Sequence, residues 1–203
     1  MIKNGSINVV FYGPEGSGKG TQASMLAKKL GVIHLVSGDM VRKYAKEDKG
    51  IIGEVVRESL DKGYYVPDSE MYVMWKKRFK EDDAKEGWVL DGFPRNLTQA
   101  KFLERKVEKY EKELDVVFFL DVSEKESVSR LVKRGRRNPD GELHDSPERI
   151  KERLKHYNKG KKPVLNYYKK RGILVRIDGE RSINLIHKDI LGRVRKIMSS
   201  VEK

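Results

Sequence analysis

The chain has 203 residues, enough for one α/β core with small insertions and too few for a multi-domain array. It holds no cysteine, which excludes disulfides, thiolate catalysis, iron–sulfur clusters and cysteine-ligated zinc. Lysine and arginine number 44 against 31 acidic residues, a net charge of +13 that points to an anionic partner: nucleic acid, nucleotide or a membrane surface.

Strand-like and helical patterns alternate along the chain. Met1–Gly5 leads straight into the first of them with no apolar leader region, and no stretch approaches the ~20 apolar residues that span a bilayer. A cytoplasmic location with no membrane partner is therefore expected. Ile7–Tyr12, Ile33–Val36, Trp88–Leu90, Val116–Leu120 and Ile173–Ile177 are short apolar runs, mostly continuous, as strands covered on both faces are. Helices are expected at Lys19–Leu30, with Gly31 as C-cap, and at Met40–Glu47, Ile52–Asp61, Ser69–Lys85, Leu97–Glu113 and Glu124–Arg134. The tail repeats Ile183, Ile186, Ile190, Val194 and Ile197 at helical spacing behind Ser182. More helix separates strands two and three than one crossover needs, and Arg134–Pro147, rich in Gly, Pro, Asp and Arg, reads as an exposed loop. The alternation predicts an open, parallel α/β sheet of five strands with helices on both faces.

The most specific feature is Gly13-Pro14-Glu15-Gly16-Ser17-Gly18-Lys19-Gly20-Thr21, set between a strand and a helix as a phosphate-binding loop requires. Its glycines let backbone close on phosphate oxygens, the helix N-terminus presents N–H groups, and Lys19 adds a mobile cation. The hydroxyl usual directly after the lysine comes one position later, at Thr21. Arg95 follows strand three, where open α/β sheets bind ligands. Arg42 lies on the helix after strand two, and Arg130 and Arg134 share a helix face that leads into the loop. Asp91 closes a buried strand near the phosphate loop. Asp39, at a helix start, reads as an N-cap. Asp121 reads as structural, and His34 and the two tryptophans as core.

The GPxGSGKGT form resembles the nucleoside monophosphate kinases, the adenylate kinases above all. His34–Arg42, Gly63–Asp68 and Val89–Arg95, the last containing Asp-Gly-Phe-Pro-Arg, agree with that family in order and spacing. Similarity continues through Arg130–Gly135, Arg153-Leu154 and Ile177–Gly179, and so covers nearly the whole chain. The resemblance implies a P-loop kinase domain with an AMP-binding insert at about 36–66 and a short lid at about 133–145, catalysing reversible transfer from ATP to AMP to give two ADP. It implies ATP contacts from Gly13, Gly16, Ser17, Gly18, Lys19, Gly20, Thr21, Arg130, Arg134 and Arg181. AMP contacts would come from Ser37, Gly38, Arg42, Tyr64, Tyr65, Val66, Gly92, Phe93, Pro94, Arg95, Gln99 and Arg153. Lys19, Asp91, Arg95, Arg130, Arg134 and Arg153 would serve the transfer, and Asp91 and Asp39 would hold Mg²⁺ through water, the ion being bound mainly by ATP phosphates, with no zinc. A monomer without a specific nucleic-acid partner is expected. The chemistry agrees: the acceptor phosphate is already anionic, so it needs no general base, only cations that hold two polyanions together.

Gln99 matches the glutamine that faces the AMP base in adenylate kinases, where an amide can pair with a donor and an acceptor of adenine together. Ser37 keeps a hydroxyl, which also favours AMP. Asn96 is instead the residue of UMP/CMP kinases, and such a kinase is the alternative. In the lid, Glu142 stands where the family has an arginine and His144 where it has an acid, leaving Asp145; Arg136 or Arg137 is expected to supply the missing cation. A non-enzymatic alternative, a basic nucleic-acid-binding protein, draws on the net charge and on Tyr44, Tyr64, Tyr65, Tyr157, Tyr167 and Tyr168 among lysines.

Overall fold

A computed structural model describes residues 7–110, 112–137, 141 and 145–201 of the chain. β1 (Asn8–Tyr12) is buried throughout, its Val9 and Phe11 facing one layer and its Val10 and Tyr12 the other. Coverage on both faces is why the run is apolar without alternation. With β2 (Ile33–Val36), β3 (Trp88–Asp91), β4 (Val116–Asp121) and β5 (Leu174–Asp178) it forms a parallel sheet in the order β2-β3-β1-β4-β5. α1 (Lys19–Leu30) and α8 (Ile183–Val201) bury Ala23, Leu26, Ile186, Ile190 and Val194 on one face. α2 (Ser37–Glu47), α3 (Ile51–Asp61), α4 (Asp68–Arg78), α5 (Leu97–Lys109) and α7 (Pro147–Lys170) cover the other, around Trp75, Trp88, Phe93 and Tyr168. α6 (Glu124–Arg134) joins α7 through Leu131, Ile150 and Leu154. The expected α/β class and parallel sheet are therefore observed.

α1, β2 and α6 fall at their expected bounds, and the other strands shift by a residue at their ends. α7 is the element that periodicity missed. Its 24 residues are largely polar and carry Gly160 and Pro163 within the helix. Its buried apolar residues, Ile150, Leu154, Val164 and Tyr168, are too sparse to display a period. Burial holds the helix nonetheless: Val164 and Tyr168 have no solvent exposure, and the Ser146 hydroxyl caps it by accepting from the Arg149 N–H at 3.3 Å. α2 starts at Ser37 rather than Met40, so Asp39 lies inside its first turn and is not the N-cap; Val36 is, without a side-chain bond. α4 stops at Arg78, which pairs with Asp83, short of the expected Lys85, and α5 stops at Lys109 rather than Glu113. Nor is the segment after α6 exposed throughout, because Asp145 is only 2% exposed.

One close approach fixes the position of Arg95. A Cβ on Gly160 would lie 2.5 Å from the carbonyl oxygen of Arg95, so α7 presses on the turn that carries this arginine. Gly160→Ala is expected to lower the unfolding free energy by about 1–3 kcal/mol, the usual cost of overpacking, although alanine is the better helix former. Urea unfolding checks this, and a midpoint equal to or above wild type would show that the contact is readily relieved.

Candidate active site

β1 lies between β3 and β4, and the chain leaves it for β2 and β3 on one side before crossing to β4 and β5 on the other. That switch point opens a crevice at the carboxyl ends of the strands. The phosphate loop fills it. Ser17 donates its N–H to the Pro14 carbonyl at 3.2 Å, and Gly18, left-handed at φ 89°, caps α1. Gly16, at φ 83°, is held under α6: a Cβ there would lie 2.6 Å from the Ser127 carbonyl oxygen. Lys19 folds back and donates from Nζ to the Pro14 carbonyl at 2.7 Å. Burial draws its ammonium below the ordinary lysine range; Asp91 and Glu15 oppose this and Arg95 and Arg134 add to it. Gly13, Gly16, Ser17, Gly18, Lys19 and Gly20 thus come together, whereas Thr21 is exposed on α1.

Asp91 ends β3 directly over the start of α1, with Oδ2 near enough to Gly20 that a Cβ there would sit 3.2 Å away. Its Oδ1 is buried and has no hydrogen-bond partner among the described residues. A carboxylate oxygen in that condition, beside a phosphate loop, suits a magnesium ion that keeps its waters. Asp39 is mostly exposed and paired with Arg42. It belongs to the same end of the sheet but is a weaker candidate.

On the acceptor side, Ser37 is buried against Gly92, and the Arg42 guanidinium lies over Gly38. Arg95 donates from Nε to the Gly92 carbonyl at 3.1 Å and stacks its guanidinium 3.8 Å from the centre of the Tyr65 ring. Tyr64, by contrast, is exposed, and Phe93 lies 1% exposed in the core against Trp75, joined to Pro94 by a cis peptide. Phe93 therefore shapes the turn instead of lining the cleft, and Val66 is likewise buried. Gln99 is nearly buried, its Oε1 accepting from the Arg95 N–H at 2.7 Å and its Nε2 donating to Asp68 Oδ1 at 2.6 Å. Asn96 caps α5 by accepting from the Gln99 N–H and donates to the same Asp68.

The arginines of the cleft are gathered by carboxylates. Asp145 receives Arg134 through Nε at 2.8 Å and Nη2 at 2.9 Å, Arg153 at 2.9 Å, and the Arg136 N–H at 3.1 Å. Burial alone would raise its pKa, but these partners outweigh it and hold the carboxyl far below the usual range. The other side of Arg153, itself 8% exposed, meets Glu15 at 3.0 Å. Arg130 pairs with Glu126 at 2.7 Å, and Arg181 donates to Asp189 at 2.9 Å. Of the two lid candidates, Arg137 donates to the Gly141 carbonyl at 2.8 Å, whereas the charge of Arg136 acts on Glu15 and Asp145. Glu142 and His144 lie outside the described residues.

Glu15 and Asp68 are the participants that sequence reading missed. The signal for Glu15 was present, since a carboxylate within a loop shaped for polyanions is out of place. Asp68 closes the Gly63–Asp68 block, but its role was not legible, because its partners Asn96 and Gln99 are some thirty positions away. The tyrosines proposed as a nucleic-acid platform do not form one. Of those six, Tyr64 alone is exposed, Tyr168 is buried, Tyr167 donates to Glu104, and Arg95 covers Tyr65. No helix among the described residues is long and apolar enough to cross a membrane.

The depressed Asp145 carboxyl makes a pH prediction. A group whose pKa is lower folded than unfolded contributes stability above its unfolded value, about 3.9 for Asp, and loses it as pH falls below that. Asp145→Asn is expected to cost about 1.5–3 kcal/mol at pH 7, as a charged hydrogen-bond partner is worth, and the deficit should shrink on going to pH 3. Urea unfolding at both pH values decides it; an equal deficit at each would mean that charge is not what matters.

Comparison with known proteins bears on this arrangement as a whole. A family model described as Adenylate kinase matches residues 11–173. Adenylate kinase of Staphylococcus epidermidis is 35% identical over 212 residues, covering 91% of this chain and 97% of that protein. Adenylate kinase of Staphylococcus aureus matches with the same identity and coverage. The matched span runs from β1 through the phosphate loop, the Arg95 turn and α7, and on that ground the chain belongs to the adenylate kinase family.

Proposed function

We propose that this cleft transfers a phosphoryl group reversibly between ATP and AMP, giving two ADP, by positioning and charge. The observation that carries this reading is the gathering of cations at the phosphate loop: Arg153 meets Glu15 at 3.0 Å, Arg95 stacks on Tyr65, which itself bonds Glu15, and Lys19 folds onto the Pro14 carbonyl. Such a cluster suits two polyphosphates that must meet against their own repulsion.

In this reading the loop from Gly13 to Gly20 and the N-terminus of α1 wrap the ATP phosphates, and Lys19 swings from the Pro14 carbonyl to the transferring group. Arg95, Arg42 and Arg153 hold the AMP phosphate. Arg134 and Arg136, at the end of α6, bring charge over both, with Arg130 and Arg181 on the ATP side. Lid closure excludes water, which would otherwise take the phosphoryl group. Asp91, aided by Asp39, would hold magnesium through water, where the ion would neutralise charge on the phosphates. We treat the chain as one kinase domain with an AMP-binding insert at about 36–66 and a lid at about 133–145. A monomer and a cytoplasmic site of action are part of the proposal.

The choice of AMP over CMP or UMP rests on the Gln99 amide. Its oxygen has two lone pairs and its nitrogen two hydrogens, and the contacts to Arg95 and Asp68 take one of each. The remaining pair presents an acceptor and a donor side by side, already oriented. Asn96, the residue that spoke for UMP or CMP, is occupied in capping α5 and binding Asp68 and carries no acceptor preference.

Three outcomes are expected. With ATP and Mg²⁺, AMP should be phosphorylated better than CMP, UMP or GMP, read as ADP formed; preference for CMP would refute the base assignment. Lys19→Met should cut kcat about 10²–10³-fold, the scale for losing a donor to developing charge, while its circular dichroism stays native. Arg136→Ala should lower kcat about 10-fold or more, with Arg137→Ala nearly silent because an exposed cation contributes little. The reverse ranking in the same assay would reassign the lid cation.

A further inference from the structure

We propose that Glu15 acts as a resident stand-in for substrate phosphate, pairing with Arg153 and Tyr65 until an entering phosphate displaces it, and thereby positions the cleft's cations and limits nucleotide affinity. The proposal rests on the phosphate-binding role proposed for those cations.

Glu15 is the one acidic residue between Gly13 and Thr21, in a loop whose backbone must close around a polyanion. Its carboxylate turns inward, leaving the side chain only 28% exposed. Oε2 meets Arg153 Nη1 at 3.0 Å, and Oε1 accepts from the Tyr65 hydroxyl at 3.5 Å. The Tyr65 ring in turn carries the Arg95 guanidinium. Glu15 thus links the donor loop to the acceptor-side cations on α7 and after β3. Burial would raise its pKa, yet Arg153, Arg95, Lys19 and Arg136 together hold it below the usual carboxylate range, so it stays ionised.

A carboxylate and a phosphate make the same kind of contact with a guanidinium. Arg153 already holds Asp145 through Nη2 and Glu15 through Nη1, so a phosphate that takes the Nη1 side displaces Glu15. In the nucleotide-free protein Glu15 offsets the mutual repulsion of the four cations. On binding, its release weakens affinity for any polyphosphate without aiding the transfer step.

The experiment measures inorganic pyrophosphate binding by calorimetry, at fixed ionic strength, to wild type and Glu15→Gln. The variant is expected to bind about 5- to 10-fold more tightly, the scale of removing one partly screened like charge. Its melting temperature without pyrophosphate should fall, and pyrophosphate should restore it. KM for ATP and AMP should drop while kcat does not rise, the mark of added ground-state binding. Equal or weaker pyrophosphate binding in Glu15→Gln overturns the proposal, since a residue serving structure alone would give that result. Should Glu15→Gln not fold, Glu15→Ala carries the test: it likewise removes the charge and the hold on Arg153, and no gain in affinity overturns the idea equally. The functional reading fails separately, if wild type binds pyrophosphate yet does not convert ATP and AMP to ADP.

Discussion

Several cations must stand close together at the ends of β1 and β3 before any nucleotide arrives, and the buried Arg153 guanidinium, fixed between Glu15 and Asp145, is the interaction that makes this possible. Two like charges ~6 Å apart repel by about 3 kcal/mol at an effective dielectric of ~20, and here Arg95 and Arg134 act on Lys19, and Arg134 and Arg153 on Arg136. The two carboxylates cancel much of that repulsion. They also give each guanidinium a geometry, since Asp145 takes Arg134 through two nitrogens and Arg153 from another side. A site for polyanions is thereby assembled on internal anions.

Those pairs would not meet unless α6 and α7 came down on the loops, and small residues allow it. Gly16 admits the Ser127 carbonyl of α6, and Gly160 admits the Arg95 carbonyl under α7. The satellite cluster of Leu131, Ile150 and Leu154 then packs the two helices together. Packing and electrostatics are consequently one problem here: shifting α7 would move Arg153 and the Arg95 turn together.

The acceptor side is organised by a neutral and an acidic side chain instead. Asp68, at the start of α4, fixes both Asn96 and Gln99, so the Gln99 amide proposed to read the base is oriented by the protein itself. Such pre-organisation spares the ordering cost on binding. Asn96 and Gln99, read as separate specificity markers, are in the folded chain two amides braced by the same carboxylate, with Asn96 also capping α5.

The sequence by itself determined the sheet, because strands buried on both faces must be apolar runs, and it determined the phosphate loop, because close backbone approach needs glycine at set spacings. Lys19, Asp91 and Arg95 were legible for the same reason: each sits within a few residues of a strand end. What it could not display was α7, whose helical state comes from burying a few widely spaced residues against a core assembled elsewhere in the chain. Nor could it display the partners of the arginines. Arg153 and Glu15 are far apart in sequence, as are Gln99 and Asp68, and local patterns carry no information about pairs that only the crossing of helices brings within 3 Å. Tertiary structure alone decided that Tyr65 faces the cleft while Tyr64 meets solvent, and that Asp145, placed in a loop rich in Gly and Pro, is buried, because two guanidinium groups compensate the charge there.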